Sequence, residues 1–181
     1  MRRFIRLGAV GAAISLGGCV AVVKGSADNA TVTGSSIRPP ESVIFSGSPQ
    51  SPISSGVAVP ANRAYYWTSG TVPSVLDASA PAGSRERFGD TKTQAISILR
   101  NIESQLKEHG LTLADVTYMR VYIVPDKAKN NTYDFQGWFD AYAQFFANST
   151  NPVKVARSTV GVAALVNPEW LIEIEAVAVY R

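Results

Sequence analysis

The chain has 181 residues, of which 46% are hydrophobic and 17% charged, with 14 Gly and 10 Pro, a composition that fits one globular domain with some additional sequence and excludes collagen, long coiled coil and wholesale disorder. One cysteine and one histidine exclude an intramolecular disulfide and a His/Cys metal cluster of three or four ligands, so no metal is expected. The formal charge of +3 raises nucleic acid as a partner, and the position of the basic residues decides that question.

They lie at the front. Met1-Arg2-Arg3-Phe4-Ile5-Arg6 precedes an uncharged, mostly apolar run from Leu7 to Gly18. That run is short for a bilayer core of about 30 Å and suits a signal-peptide h-region. It ends in Leu16-Gly17-Gly18-Cys19, which resembles the bacterial lipobox. Residues 1–18 are therefore expected to be a lipoprotein signal peptide and Cys19 the lipidated N-terminus. The chain would then be exported and held in the cell envelope by its lipid alone, and Val20 favours the outer membrane. Removal of Arg2, Arg3 and Arg6 leaves 14 basic against 14 acidic residues, a balance that argues against a phosphate-backbone partner. Between Thr31 and Gly56 stand 8 Ser, 3 Gly and 4 Pro, so residues 19–41 read as a flexible tether and 42–181 as the folded domain.

Glu41 to Phe45 has the pattern of a first edge strand. Val57-Ala58-Val59 and Ala64 to Ser69 follow as short strands joined by a turn at Pro60-Ala61-Asn62-Arg63. The stretch from Ser74 to Gly89, with Arg85 and Arg87, is expected to be a solvated excursion. Thr91 and Gln94 stand at capping-box spacing after Asp90, and Ala95, Ile98, Leu99, Ile102 and Leu106 recur at helical intervals up to Gly110. His109, in the last turn, suits the negative end of the helix dipole and is expected to cap it. Val116 to Val124 reads as a covered strand ending at Pro125. A second helix is expected from Thr132 to Ala147. On it Phe135, Trp138, Phe139, Tyr142, Phe145 and Phe146 form one aromatic stripe suited to lie on a sheet. Val153 to Leu165 and Trp170 to Tyr180 are expected to form a hairpin through Val166-Asn167-Pro168-Glu169.

The order ββ, α, β, α, ββ predicts an α/β (α+β) fold in which two helices cover one face of a mixed sheet. In the last strand Ile172, Ile174, Ala176 and Ala178 share one face, and Glu173 and Glu175 the other, with Val177 and Val179. In the preceding strand Arg157 and Thr159 alternate with Ala156, Ser158 and Val160. Arg157 and the two glutamates are thus expected together on the face away from the helices, with the hairpin register left open.

Thr68-Ser69-Gly70-Thr71-Val72-Pro73, Ala156-Arg157-Ser158-Thr159-Val160-Gly161-Val162 and Ile172-Glu173-Ile174-Glu175-Ala176-Val177-Ala178-Val179, in this order, resemble the RidA/YjgF (Rid, L-PSP) family over about residues 50–181. The resemblance implies a chorismate-mutase-like fold, a homotrimer with ligand clefts between subunits, and hydrolysis of 2-imino or enamine acids to 2-oxo acids and ammonia without cofactor. It implies catalytic roles for Arg157, as carboxylate grip, and Glu173, for water and proton handling. Ser69, Gly70 and Thr159 would line the substrate site, while Glu175 would be structural. Thr159 stands where many members have cysteine, and the family's N-terminal glycine-proline-tyrosine element is missing. The alternative reading is a non-catalytic, carboxylate-binding or structural envelope lipoprotein of the same fold, with the Arg157 and Glu173 pair only an interfacial salt bridge.

Overall fold

The computed structural model describes residues 38–181. The signal segment, Cys19 and most of the tether lie outside them. A small antiparallel sheet pairs β1 (Ile44–Ser46) with β2 (Gly56–Ala58). The main sheet contains β3 (Tyr65–Trp67), β4 (Val116–Ile123), β7 (Ala156–Gly161) and β8 (Ile172–Val179). The helices are α1 (Thr91–Glu108) and α2 (Phe135–Phe145). A two-residue ribbon, β5 (Pro125–Asp126) with β6 (Thr132–Tyr133), leads into α2.

The main sheet runs β3-β8-β4-β7, with β4 and β7 parallel and the other pairs antiparallel. This is the expected mixed sheet with two helices, but two connections differ from expectation. β2 and β3 belong to different sheets, so the turn between them leads from the small sheet to the main one. β7 and β8 do not form a hairpin: β8 inserts between β3 and β4, and β7 becomes an edge strand on the far side of β4. The two strands differ in a way that suits these places. β8 buries residues on both its faces, Ile172, Ile174 and Ala176 on one and Val177 and Val179 on the other, as a central strand must. β7 alternates Arg157 and Thr159 with Ser158, and polar side chains on both faces suit an edge.

Asp90, not Thr91, caps α1: its carboxylate accepts from the Thr93 N–H at 2.8 Å. Gln94 is buried instead of serving a capping box. Its Nε2 donates to the carbonyls of Gly89 and Glu169 and its Oε1 accepts from the Leu171 N–H at 2.7 Å, which ties the helix start to the entry of β8. His109 is the residue after the last turn, and its ring lies 4.3 Å from that of Tyr66. α2 is shorter than the aromatic pattern suggests, because Thr132 and Tyr133 are extended and Asp134 caps the helix. Trp138, Tyr142 and Phe146 are buried, but Phe139 is exposed.

Ile98, Leu99, Ile102 and Leu106 of α1 and Trp138 and Tyr142 of α2 form one core with Met119, Val121 and Ile123 of β4 and Ile172 and Ile174 of β8. The register stacks Val121 on Ile174 and Ile123 on Ile172. Each of these large side chains contributes about 2 kcal/mol by its removal from water. The opposite face carries Tyr65 and Trp67 of β3, Tyr118, Arg120 and Tyr122 of β4, and Val160 of β7. Trp67 is 67% exposed.

The segment from Ser74 to Gly89 is mostly exposed, as the sequence suggests, but it is tied to the domain by hydrogen bonds and one ion pair. Ser74 N–H donates to Ser97 Oγ, Asn101 Nδ2 donates to the Val72 carbonyl, and the Gly83 N–H donates to Glu169 Oε1. Phe88 is buried. Arg85 Nη1 reaches the buried Asp126 Oδ1 at 2.6 Å, and this ion pair holds the Asp126 carboxyl below its ordinary range.

Candidate functional site

Two clusters hold the residues singled out by the sequence. The first is built where β3 runs out against β8. Thr68 N–H donates to the Ala176 carbonyl, and Thr71 and Ile174 exchange a pair of backbone bonds at 2.8 and 3.1 Å. Ser69 and Gly70 lie between these anchors on the surface. The space a β-carbon would fill on Gly70 is taken by Glu173: its Oε1 lies 1.8 Å from that point. Only glycine lets the carboxylate rest against this turn. Glu173 is half-buried, and burial raises its pKa, with the charge of Glu175 adding to the rise. Glu175 itself is held by Arg120 at 2.8 Å and accepts from Tyr122 Oη at 3.3 Å.

The second cluster lies on β7. The guanidinium carbon of Arg157 sits 4.2 Å from the ring centroid of Tyr142, 5.0 Å from that of Phe139 and 5.2 Å from that of Trp138. Its Nη1 is buried with no hydrogen-bond partner among the described residues. Burial pushes the Arg157 pKa down, and only the Tyr142 hydroxyl acts against that. Among the described residues of the subunit this guanidinium has aromatic neighbours but no anionic partner. Thr159, two residues on, has its hydroxyl committed to Trp138 Nε1 at 3.3 Å.

The two clusters are not on one face, contrary to the sequence reading. In β4, Met119 and Val121 point toward the helices. Arg157 pairs with Met119 and Thr159 with Val121, so parallel pairing turns both toward the helices as well. Glu173 pairs with Tyr122, which faces the other way. Within one subunit Arg157 and Glu173 therefore lie on opposite faces with β4 between them, their backbones about 14 Å apart by two strand spacings and the three-residue offset from Met119 to Tyr122. Alternation along β7 separates Arg157 and Thr159 from Ser158 and Val160 but does not say which of the two rows meets the helices; the pairing with β4 does. The aromatic cage around Arg157 was also missed as a functional feature, although its signal was present: an arginine on a strand whose crossover helix carries an aromatic stripe.

Among the described residues no three His, Cys, Asp or Glu side chains are grouped to hold a metal ion. No helix among them is long and apolar enough to cross a membrane.

A family model described as Endoribonuclease L-PSP matches residues 48–180. A RutC family protein of Pyrococcus abyssi is 34% identical over 90 residues, which is 50% of this chain and 62% of that protein. A RutC family protein of Haemophilus influenzae is 34% identical over 92 residues, 51% of this chain and 65% of that one. The matches thus span less than two thirds of these relatives. Among solved structures, a Yersinia pestis protein of the conserved Rid family, itself of unknown function, has a TM-score of 0.55 at 28% identity, covering 76% of this chain and 98% of its own. Escherichia coli TdcF, solved with bound serine, has a TM-score of 0.50 at 29% identity, covering 68% and 85%.

Proposed function

The chain belongs to the L-PSP family of Rid/YjgF proteins, and on that footing we propose that it hydrolyses 2-imino and enamine acids to 2-oxo acids and ammonia in clefts between the subunits of a homotrimer. The observation that carries the reading is the enclosed, unpaired guanidinium of Arg157 on one face of the sheet and Glu173 against Gly70 on the other. A small substrate can meet both groups only if Arg157 of one subunit faces Glu173 of the partner subunit. The apolar surface of Tyr65, Trp67 and Val160 on the face away from the helices suits such an assembly.

In this reading Arg157 grips the substrate carboxylate edge-on. Backbone amides near Gly70 and Thr159 complete the anion cradle, and Ser69 lines its entrance. Water adds to the imine carbon of R–C(=NH)–COO⁻, one of its protons passing through Glu173 to the imine nitrogen. The resulting carbinolamine breaks its C–N bond, the second proton goes to nitrogen, and R–CO–COO⁻ and NH₃ leave. The raised pKa of Glu173 suits a group that must both take and return a proton near neutral pH. No metal or organic cofactor enters these steps. The balanced charge without residues 1–18 and the single histidine speak against ribonuclease chemistry.

The same arginine supports a second reading, a carboxylate-binding protein without turnover, because the grip on Arg157 does not depend on Glu173 and the Thr159 hydroxyl is already engaged by Trp138. An assay on imino acids generated by an amino-acid oxidase, with semicarbazide competing, separates the two. Acceleration by the wild type that is lost in Arg157→Ala and Glu173→Ala supports the deaminase. Folded trimer without acceleration on any imino acid removes it. We also propose that Cys19 carries the lipid that holds the exported protein in the envelope. Incorporation of labelled palmitate lost in Cys19→Ser is the expected result, and retained label overturns it.

A further inference from the structure

We infer that the Arg157 site selects carboxylates bearing an aromatic or similarly large apolar group, and that Phe139 is the residue that selects them; the inference rests on the carboxylate grip assigned to Arg157 above. Phe139 belongs to the apolar stripe of α2, yet it is 40% exposed while Trp138 and Tyr142 beside it are buried. A single exposed phenyl is ordinary on a protein surface. This one is distinguished by its contact, a ring centroid 5.0 Å from the guanidinium carbon of Arg157, whose Nη1 is buried and unpaired.

The three rings around the guanidinium differ in their commitments. Trp138 Nε1 donates to Thr159 Oγ1, and Tyr142 Oη accepts from the Val155 N–H at 3.1 Å. Both rings are fixed by these bonds and by burial. Phe139 has no polar anchor and shows part of its ring to solvent. A bidentate carboxylate on an arginine lies edge-on, in the guanidinium plane. The substituent beyond the carboxylate then emerges beside the cage, and Phe139 is the ring of the cage with surface left to receive it. An aromatic substituent stacks on that ring and covers it, whereas a methyl covers little. A preference of about tenfold for the aromatic ligand follows, the scale on which apolar contacts discriminate ligands.

The test is calorimetric titration of the full-length protein with pyruvate and with phenylpyruvate, which are stable 2-oxo acids, in wild type, Phe139→Ala, Phe139→Trp and Arg157→Ala. Phenylpyruvate is expected to bind about tenfold tighter than pyruvate to wild type. Phe139→Ala should bring the ratio to within about threefold of one, and Phe139→Trp should restore it. A wild-type ratio near one, or an unchanged ratio in folded Phe139→Ala, overturns the selection by Phe139 while leaving the arginine grip intact. If neither acid binds wild type, or both bind Arg157→Ala as they bind wild type, the grip itself fails and the inference with it.

Discussion

Replacing Gly70 with alanine tests whether Glu173 must rest against the Ser69–Gly70 turn. A β-carbon there falls 1.8 Å from Glu173 Oε1, 2.8 Å from Cδ and 3.2 Å from Cγ. The first distance is about 1.6 Å short of the 3.4 Å at which ordinary van der Waals contact begins. Gly70 is not among the glycines with positive φ, so alanine brings no backbone strain. The obstacle is the tip of a flexible side chain, and the structure yields there: the carboxylate swings away while Thr71 and Ile174 keep their backbone bonds. The expected loss of stability is about 1 kcal/mol or less, a Tm change of about 3 °C. The expected loss of activity is much larger, because moving a reacting group by about 1 Å costs on the order of 100-fold. In the coupled imine assay, kcat/KM for Gly70→Ala should fall to near that of Glu173→Ala. The double variant should be no worse than either single one, since both remove the same placement. Gly70→Ala with activity within about threefold of wild type would refute the reasoning, as would a variant too unstable to fold, since it would show that the turn and not the carboxylate absorbs the clash.

Three further outcomes follow from the same geometry. Glu173 is held above the usual carboxylate range by burial and then by Glu175, so the limb of the pH–activity profile that belongs to it should lie above pH 4.5 and move to lower pH in Glu175→Gln, where the like charge is gone; an unmoved limb would assign it to another group. Arg157→Met removes a cation that burial disfavours and keeps an apolar shape among the rings, so the melting temperature should hold or rise, by about 1 kcal/mol in stability, while carboxylate binding is lost; a large destabilisation would make Arg157 a structural residue. Arg85→Ala strands the buried Asp126 carboxylate and should cost about 2 kcal/mol at pH 7, less than a fully buried pair because Arg85 is partly exposed. The folded pKa of Asp126 lies below its ordinary 3.8. Its contribution is therefore present above that value and lost as pH falls through the lower folded pKa, so melts of wild type and variant should converge in strong acid. Parallel curves at all pH values would show that the ion pair adds nothing.

The sequence by itself determined the helix and the strand that anchor the core. The period of Ile98, Leu99, Ile102 and Leu106 fixed α1 to within a residue or two, because an apolar face of that period can be buried only as a helix. The β-branched and aromatic run of Val116–Ile123 fixed β4 in the same way. The family resemblance carried by the Thr68–Thr71, Arg157 and Glu173 motifs marked the residues of the candidate site. Tertiary structure alone decided where those residues face. Alternation along a strand says which residues share a face and not which face that is. The direction of Arg157 was set only by β7 pairing in parallel with β4 beneath α2, a contact between segments some 40 residues apart for which local pattern carries no signal. The same pairing separated Arg157 from Glu173 and gave it the enclosure of Trp138, Phe139 and Tyr142. The packing of the 74–89 segment was likewise invisible in its polar sequence, because its anchors, Asp126 and Glu169, come from other parts of the chain, and such partners meet only once the sheet has brought them to one end.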